Sequence, residues 1–300
     1  MLDYAALHAL STVLREGSFE RAARVLHVTP SAVSQRVRLL EERVGCALVV
    51  RGQPCQPTEV GRRLCQHVDR VRMLEQELTE TLPALAPDGG VRVALPVAVN
   101  ADSLATWLAV PLTRYAAEAP VWLEVSVDDQ DHTAGWLRTG AVMAAVTSTE
   151  QAGAGCNSEP LGAMRYLAVV SPVLVERHFS AGVNAASLAR APSLVFNAKD
   201  GLQLAWAERQ QGRRVELPRH MLPSPQAFVT AAQAGMGWGM LPDGMARAGL
   251  ADGTLVELVP DAPLDVPLYW HTARAAVGVL GGLTRAVRAA ARTALLPLAP

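Results

Sequence analysis

The chain has 300 residues, half of them hydrophobic; it is too long for one ordinary small domain and rich enough to bury sizeable cores. No run of eighteen apolar residues occurs, and "MLDYAALHAL" has neither the positive start nor the cleavage pattern of a signal peptide, so the expectation is a cytoplasmic protein with no membrane span. The net charge of −1 is uneven: residues 1–72 hold eleven Arg against seven acids, a +4 head on a −5 body, which directs the head towards a polyanion.

Along the head, Leu7, Leu10 and Leu14 recur at helical spacing behind Asp3, a candidate N-cap. Gly17 ends that helix. Ser18 caps the next, where Phe19, Ala22, Ala23 and Leu26 repeat at i, i+3, i+4 and i+7. After His27 and Val28, Thr29 is a candidate N-cap, and Pro30 suits the first helical position, where its missing N–H is not needed. The third helix turns Val33, Val37, Leu40 and Val44 inward, and Gly45 stops it. Three short helices with a tight turn between the second and third form a helix-turn-helix pattern.

The opposite face of the third helix carries Ser31, Ser34, Gln35 and Arg38 at i, i+3, i+4 and i+7. Short or planar hydrogen-bonding groups at the front of a helix are what a major groove admits. Ser31, Ser34 and Gln35, with Pro30, are candidate base contacts. Arg36, Arg38 and Arg51 are candidate contacts to the DNA backbone. "CALVVRGQPCQPT" reads as a two-stranded wing broken by Gly52, Pro54 and Pro57, with Arg51 at its tip. This head spans residues 1–57. "FERAARVLHVTPSAVSQRVRLLEERVGCALVVR" resembles the winged helix-turn-helix of LysR-type transcriptional regulators, and the resemblance extends over the whole chain.

Residues 58–90 read as a linker. Thr58 is its cap, and Leu64, Val71 and Leu78 fall at heptad spacing with Val68, Leu74 and Leu82 beside them. One apolar stripe on a long helix needs a partner, either its own domain or another copy. The family resemblance implies that this helix pairs two subunits. Pro83, Pro87, Gly89 and Gly90 end it as a hinge.

In residues 91–300 strand-like runs alternate with helix-like ones. "VRVALPVAV" precedes a helix from about 103 to 116, and "VWLEVSV", "AVMAAVTS", "RYLAVVS", "SLVFNA" and "GMGWGMLP" follow. "VPLYWHT" then returns, with a final helix near 277–295. This alternation predicts a parallel sheet within an α/β domain. The resemblance implies a two-lobed fold like that of periplasmic binding proteins, with lobe 1 at about 91–161 and 267–300 and lobe 2 at about 162–266. Ligands in such folds sit at strand C-terminal ends.

Asn100, Asp102 and Ser103 crowd one such end. Thr147 closes the third strand, Asp128, Asp129 and Asp131 follow the second, and Asp200 follows "VFNAK". Donors for a carboxylate beside several acids suit a zwitterion with an extra positive charge. Each Asp has a plainer reading as a helix cap or a solvated loop residue. The candidate ligand residues are Asn100, Asp102, Ser103, Asp129, Thr147 and Asp200, with Asp129 or Asp200 taking the side-chain cation.

"AVNADSLATW", "VDDQDHTAGWLRTG", "MRYLAVVS", "FNAKDGLQ" and "VPLYWH" look like the lysine- and arginine-responsive LysG/ArgP branch of the family. That resemblance implies an activator controlling export of basic amino acids. Its effector would be lysine or arginine, and its partners a promoter duplex, RNA polymerase and further copies of the chain in a dimer or tetramer. Members of the branch have also been described as inhibitors of chromosome initiation. An origin-binding or architectural DNA-binding protein without effector control is therefore the alternative.

No G-x-S-x-G, P-loop or H-E-x-x-H occurs, so no enzyme is expected. The four cysteines and seven histidines lack metal-ligand spacing, and neither metal nor cofactor is expected.

Overall fold

Capping residues set the first three helices. In the computed structural model, which describes residues 3–81, 93–119, 121–128, 136–137 and 140–298, α1 (Tyr4–Glu16) starts at Asp3, whose carboxylate accepts the Ala5 and Ala6 amides. α2 (Phe19–Val25) starts at Ser18, which accepts from Arg21 N–H. α3 (Pro30–Val44) starts at Thr29, which accepts from Ala32 N–H. Gly17 and Gly45 end α1 and α3 in the left-handed conformation that glycine adopts without cost. Leu7, Leu10 and Val13 of α1 meet Val33, Val37 and Leu40 of α3 in one buried core. Each such fully buried aliphatic side chain contributes about 1.5–3 kcal/mol.

The wing is a short antiparallel pair, β1 (Val49–Val50) with β2 (Gln56–Pro57). Glu41 of α3 anchors it, its Oε1 accepting from Leu48 N–H at 2.8 Å and Val49 N–H at 3.3 Å. Thr58 then caps α4 (Glu59–Thr81), accepting from Gly61 N–H and donating to the Ala47 carbonyl. The first half of α4 packs on its own domain. Val68 joins the buried core, with Leu64 against it. Leu74 and Leu78, further along the stripe, are 56% and 50% exposed.

The chain divides into two compact units, residues 1–94 and 95–300. In the second, a seven-stranded sheet runs β10–β6–β11–β5–β3–β4, with β9 also on β6. The strands are β3 (Val93–Asn100), β4 (Val121–Asp128), β5 (Ala144–Thr147), β6 (Cys156–Val170), β9 (Gly239–Pro242), β10 (Val256–Glu257) and β11 (Leu264–Ala273). β7 (Ser193–Val195) and β8 (Arg219–Met221) form a separate parallel pair.

The sheet is mixed, not parallel as the alternation predicted. β3 and β5 are parallel, but β11 runs antiparallel to both β5 and β6, and β9 and β10 antiparallel to β6. β6 and β11 are long because they serve two half-sheets. Residues 269–272 of β11 bridge β5 to the start of β6, whereas the end of β6 pairs with β9 and β10.

The β6–β11 register shifts between Leu268 and Tyr269, opposite Gly162. Gly162 has φ +137°, and a Cβ there would stand 2.6 Å from the Leu296 carbonyl oxygen, so a larger residue is strained on both counts. The C-terminal segment crosses at this point, exchanging two backbone hydrogen bonds between Leu296 and Ala163. One half-sheet is covered by the helix Val277–Ala294, whose Leu280, Leu283 and Val287 are fully buried. The other is covered by Phe228, Ala231 and Ala232 packed on Leu167, Val169 and Leu194.

Candidate functional site

α3 presents its polar face outward. Pro30, Ser31, Gln35 and Arg38 are exposed, and Ser34 and Arg36 half-buried. The Thr29 and Ser31 hydroxyls lie 3.0 Å apart, which ties Ser31 to the helix cap. Arg38 donates through Nε to Glu42 at 2.9 Å. That pair is exposed, so it contributes little and gives way readily to a phosphate. The Arg51 guanidinium stands 5.5 Å from the centre of the Phe19 ring, in a hollow that Arg21 also lines. Burial pushes the Cys65 thiol up to about 12, leaving it inert as a nucleophile.

In the second unit a cleft of about 350 Å³ opens where β3 gives way to helix. Its walls include Asn100, Asp102, Ser148, Phe196, Asp200 and Asp265. That volume lies at the small end of the roughly 300–1,000 Å³ typical of small-molecule sites. Asn100 ends β3, and a short helix, Ala101–Ser103, continues through a π-turn, Leu104–Leu108, into Ala109–Glu118. Such π-turns recur at functional sites. Asn100 is 3% exposed and Ser103 fully buried; among the described residues neither Asn100 Oδ1 nor Ser103 Oγ has a protein hydrogen-bond partner. Buried polar atoms are nearly always paired, so these two stand apart at the end of an otherwise apolar strand.

The acids around the cleft differ in how they are held. Asp102 accepts a hydrogen bond at 2.7 Å from the hydroxyl of Tyr166. Asp200 accepts from Phe196 N–H at 2.8 Å and Leu202 N–H at 3.1 Å, so it caps the start of the helix Leu202–Gln211 while lining the cleft. Asp265 meets Arg165 through two 2.8 Å hydrogen bonds, and that guanidinium holds the carboxyl below the usual carboxylate range. Burial pushes His271, on β11, below the ordinary imidazole value.

Thr147 lies beside Asn100 in the continued β3–β5 register but is fully buried, its hydroxyl accepting from Thr149 N–H; the next residue, Ser148, is the one on the cleft wall. Ser103 is likewise beneath the wall rather than on it. Asp129 lies outside the described residues, as does Asp131. Tyr166, Arg165 and Asp265 escaped sequence reasoning. Tyr166 stands in an apolar strand run, and the Arg165–Asp265 partners are a hundred residues apart. Among the described residues no cluster of three or more His, Cys, Asp or Glu could hold a metal ion, and no helix is long and apolar enough to cross a membrane.

The model of the bacterial regulatory helix-turn-helix protein, lysR family, matches residues 4–62, and that of the LysR substrate binding domain matches residues 86–294. The chain belongs to the LysR family. Two relatives carry the similarity across nearly the full length. The HTH-type transcriptional regulator ArgP of Pseudomonas fluorescens (strain Pf0-1) is 44% identical over 99% of this chain and 100% of its own. The regulator LysG of Mycobacterium tuberculosis (strain ATCC 25618 / H37Rv) is 45% identical over 97% of this chain and 94% of its own.

Among solved LysR-family structures, ArgP from Mycobacterium tuberculosis superposes with a TM-score of 0.82 at 42% identity, covering 99% of this chain and 100% of that one. Full-length LysG from Corynebacterium glutamicum with bound effector Arg superposes at 0.71 with 35% identity, covering the same shares. These relatives are transcriptional regulators.

Proposed function

We propose that this LysR-family regulator senses a basic amino acid, lysine or arginine, in the cleft beside Asn100 and Asp102, and adjusts how its heads engage promoter DNA. The observation that carries the reading is the pairing of opposites where β3 and β5 end. Asn100 Oδ1 is a buried acceptor suited to an α-ammonium, the Ser148 hydroxyl on the wall is suited to an α-carboxylate, and Asp102 is a carboxylate on the wall suited to a side-chain cation. The Arg effector of the Corynebacterium glutamicum LysG supports the same ligand class. Asp200 is the second candidate for the cation. Its oxygens accept from two amides and cap the helix that follows, a task of its own. Asp129 remains a third candidate from sequence alone.

At the DNA, Pro30, Ser31, Ser34 and Gln35 meet base edges, while Arg36, Arg38 and Arg51 hold phosphates. The exposed Leu74 and Leu78 side chains are the seam through which α4 joins a second copy, as a dimer or within a tetramer. The genes controlled are those for basic amino-acid export, and RNA polymerase is the partner at the promoter. The cation chemistry of the cleft is what favours this over effector-free origin binding. Calorimetric titration of the full-length protein with the twenty amino acids tests the ligand. Saturable binding of lysine or arginine, and none of glutamate, is expected. Binding confined to neutral or acidic amino acids would reject it.

A further inference from the structure

Tyr166 lies on the stretch of β6 that pairs with β9, opposite Pro242, and is fully buried. Asp102 lies just past β3, in the other half-sheet. The Tyr166 hydroxyl donates to Asp102 Oδ2 at 2.7 Å, so this hydrogen bond ties the two halves together at the cleft wall. Asp102 lines the cleft and Tyr166 does not, so the hydroxyl acts from behind the wall. A hydrogen bond to an ionised acceptor is shorter and about twice as strong as one between neutral groups.

The neighbouring acids show what makes this partner different. Asp265 is answered by the Arg165 guanidinium, which cancels its charge towards a ligand. Asp200 is held by two backbone amides of its own loop, which fix it as a cap. A tyrosine hydroxyl orients a carboxylate without neutralising it. A carboxylate accepts about four hydrogen bonds, so a hydroxyl and a ligand cation are compatible on the same group.

We infer that Tyr166 is a positioning residue for the effector's side-chain cation: from behind the wall it fixes the Asp102 carboxylate in the orientation that takes a guanidinium or ammonium, and so sets the preference for cationic over neutral side chains. The inference rests on the basic-amino-acid reading of the cleft and adds to it a residue that never touches the ligand.

The test compares L-arginine with its neutral near-isostere L-citrulline by calorimetry on the full-length protein. Tyr166→Phe keeps the buried ring and removes only the hydroxyl. Arginine affinity should fall by about tenfold, as for one charge-assisted hydrogen bond, and citrulline affinity by less than about twofold, so the arginine-to-citrulline ratio collapses. Asp102→Asn should lose the same preference. Tyr166→Phe should then change the ratio no further in the Asp102→Asn background, as a residue acting through Asp102 requires.

An unchanged ratio in Tyr166→Phe, equal loss of both ligands, or a full effect of Tyr166→Phe on top of Asp102→Asn would each overturn the inference. A preserved ratio in Asp102→Asn would overturn it without relying on the tyrosine variant's folding. If the wild-type protein itself binds arginine no better than citrulline, the basic-amino-acid reading fails first and takes this inference with it. A wild-type preference that survives in Tyr166→Phe sinks the inference alone.

Discussion

Glu41→Ala should loosen the wing and lower the stability of the N-terminal unit. Glu41 Oε1 accepts from Leu48 N–H at 2.8 Å and Val49 N–H at 3.3 Å, and those residues are 0% and 7% exposed. Hydrogen bonds to charged groups contribute about 1.5–3 kcal/mol, and the longer one less, so losing both costs about 2–4 kcal/mol. In a unit of residues 1–94, each kcal/mol moves the midpoint by roughly 4–8 °C, so its melting transition should fall by on the order of 10–30 °C. Glu41→Gln retains an acceptor oxygen and should recover part of the loss. Differential scanning calorimetry on the full chain reads the transition. The salt dependence of binding to random DNA reads the wing, because Arg51 follows β1 directly and loses its fixed position. A Glu41→Ala protein that melts like wild type and keeps its salt slope would refute the assignment of Glu41 as the anchor of the wing.

Gln35→Ala should weaken binding to a selected operator by about 1–3 kcal/mol while sparing random DNA. Arg36→Ala should weaken both and lower the salt slope by about one, and competition gel shifts distinguish the two patterns; equal loss on both DNAs for Gln35→Ala would reject a base contact. Leu74→Asp combined with Leu78→Asp changes two side chains that are at least half exposed on the single chain, so the monomer should tolerate it. In a buried seam each unpaired charge costs several kcal/mol, and light scattering should show dissociation; an unchanged oligomer places the seam elsewhere. Ser148→Ala should weaken lysine, arginine and citrulline alike, by about three- to tenfold, with the arginine-to-citrulline ratio kept. A loss confined to the basic ligands in that calorimetric series would mean that Ser148 serves the side chain and not the carboxylate.

What was legible in the sequence follows from how local each signal is. Asp3, Ser18 and Thr29 cap helices because their own side chains reach amides two or three residues on, and Pro30 opens α3 because the first turn does not use its missing N–H, so their identity suffices. Asn100, Asp102 and Ser103 stood out because polar groups at the end of an apolar run have no local reason to be there. Asp200 was ambiguous between ligand and cap, and its bonds to Phe196 and Leu202 are those of a cap on the cleft wall.

Contacts made at long range were not legible. Tyr166 reads as one more aromatic in a strand, since its partner lies 64 residues away. Glu41 reads as a solvated helix acid, although its carboxylate holds the wing. Alternation of strands and helices carries no pairing direction, so the antiparallel pairing of β6 and β11, shared by both half-sheets, is not legible in it. The stripe on α4 was legible as apolar but not as divided. Val68 turns to its own domain, and Leu74 and Leu78 do not.

The central claim is that a basic amino acid in the cleft alters how the heads hold DNA. A ligand shifts such an equilibrium only by its differential affinity for the two states, so binding alone is not sufficient evidence. The decisive measurement is a footprint of the full-length protein on an operator obtained by in vitro selection, taken across a titration of L-arginine, L-lysine and L-citrulline. Arginine or lysine should change the footprint over the same concentrations at which calorimetry shows the cleft filling, citrulline should not, and Asp102→Asn should abolish the change while keeping the ligand-free footprint. A footprint indifferent to all three amino acids, on a protein that occupies the operator normally, would contradict that claim.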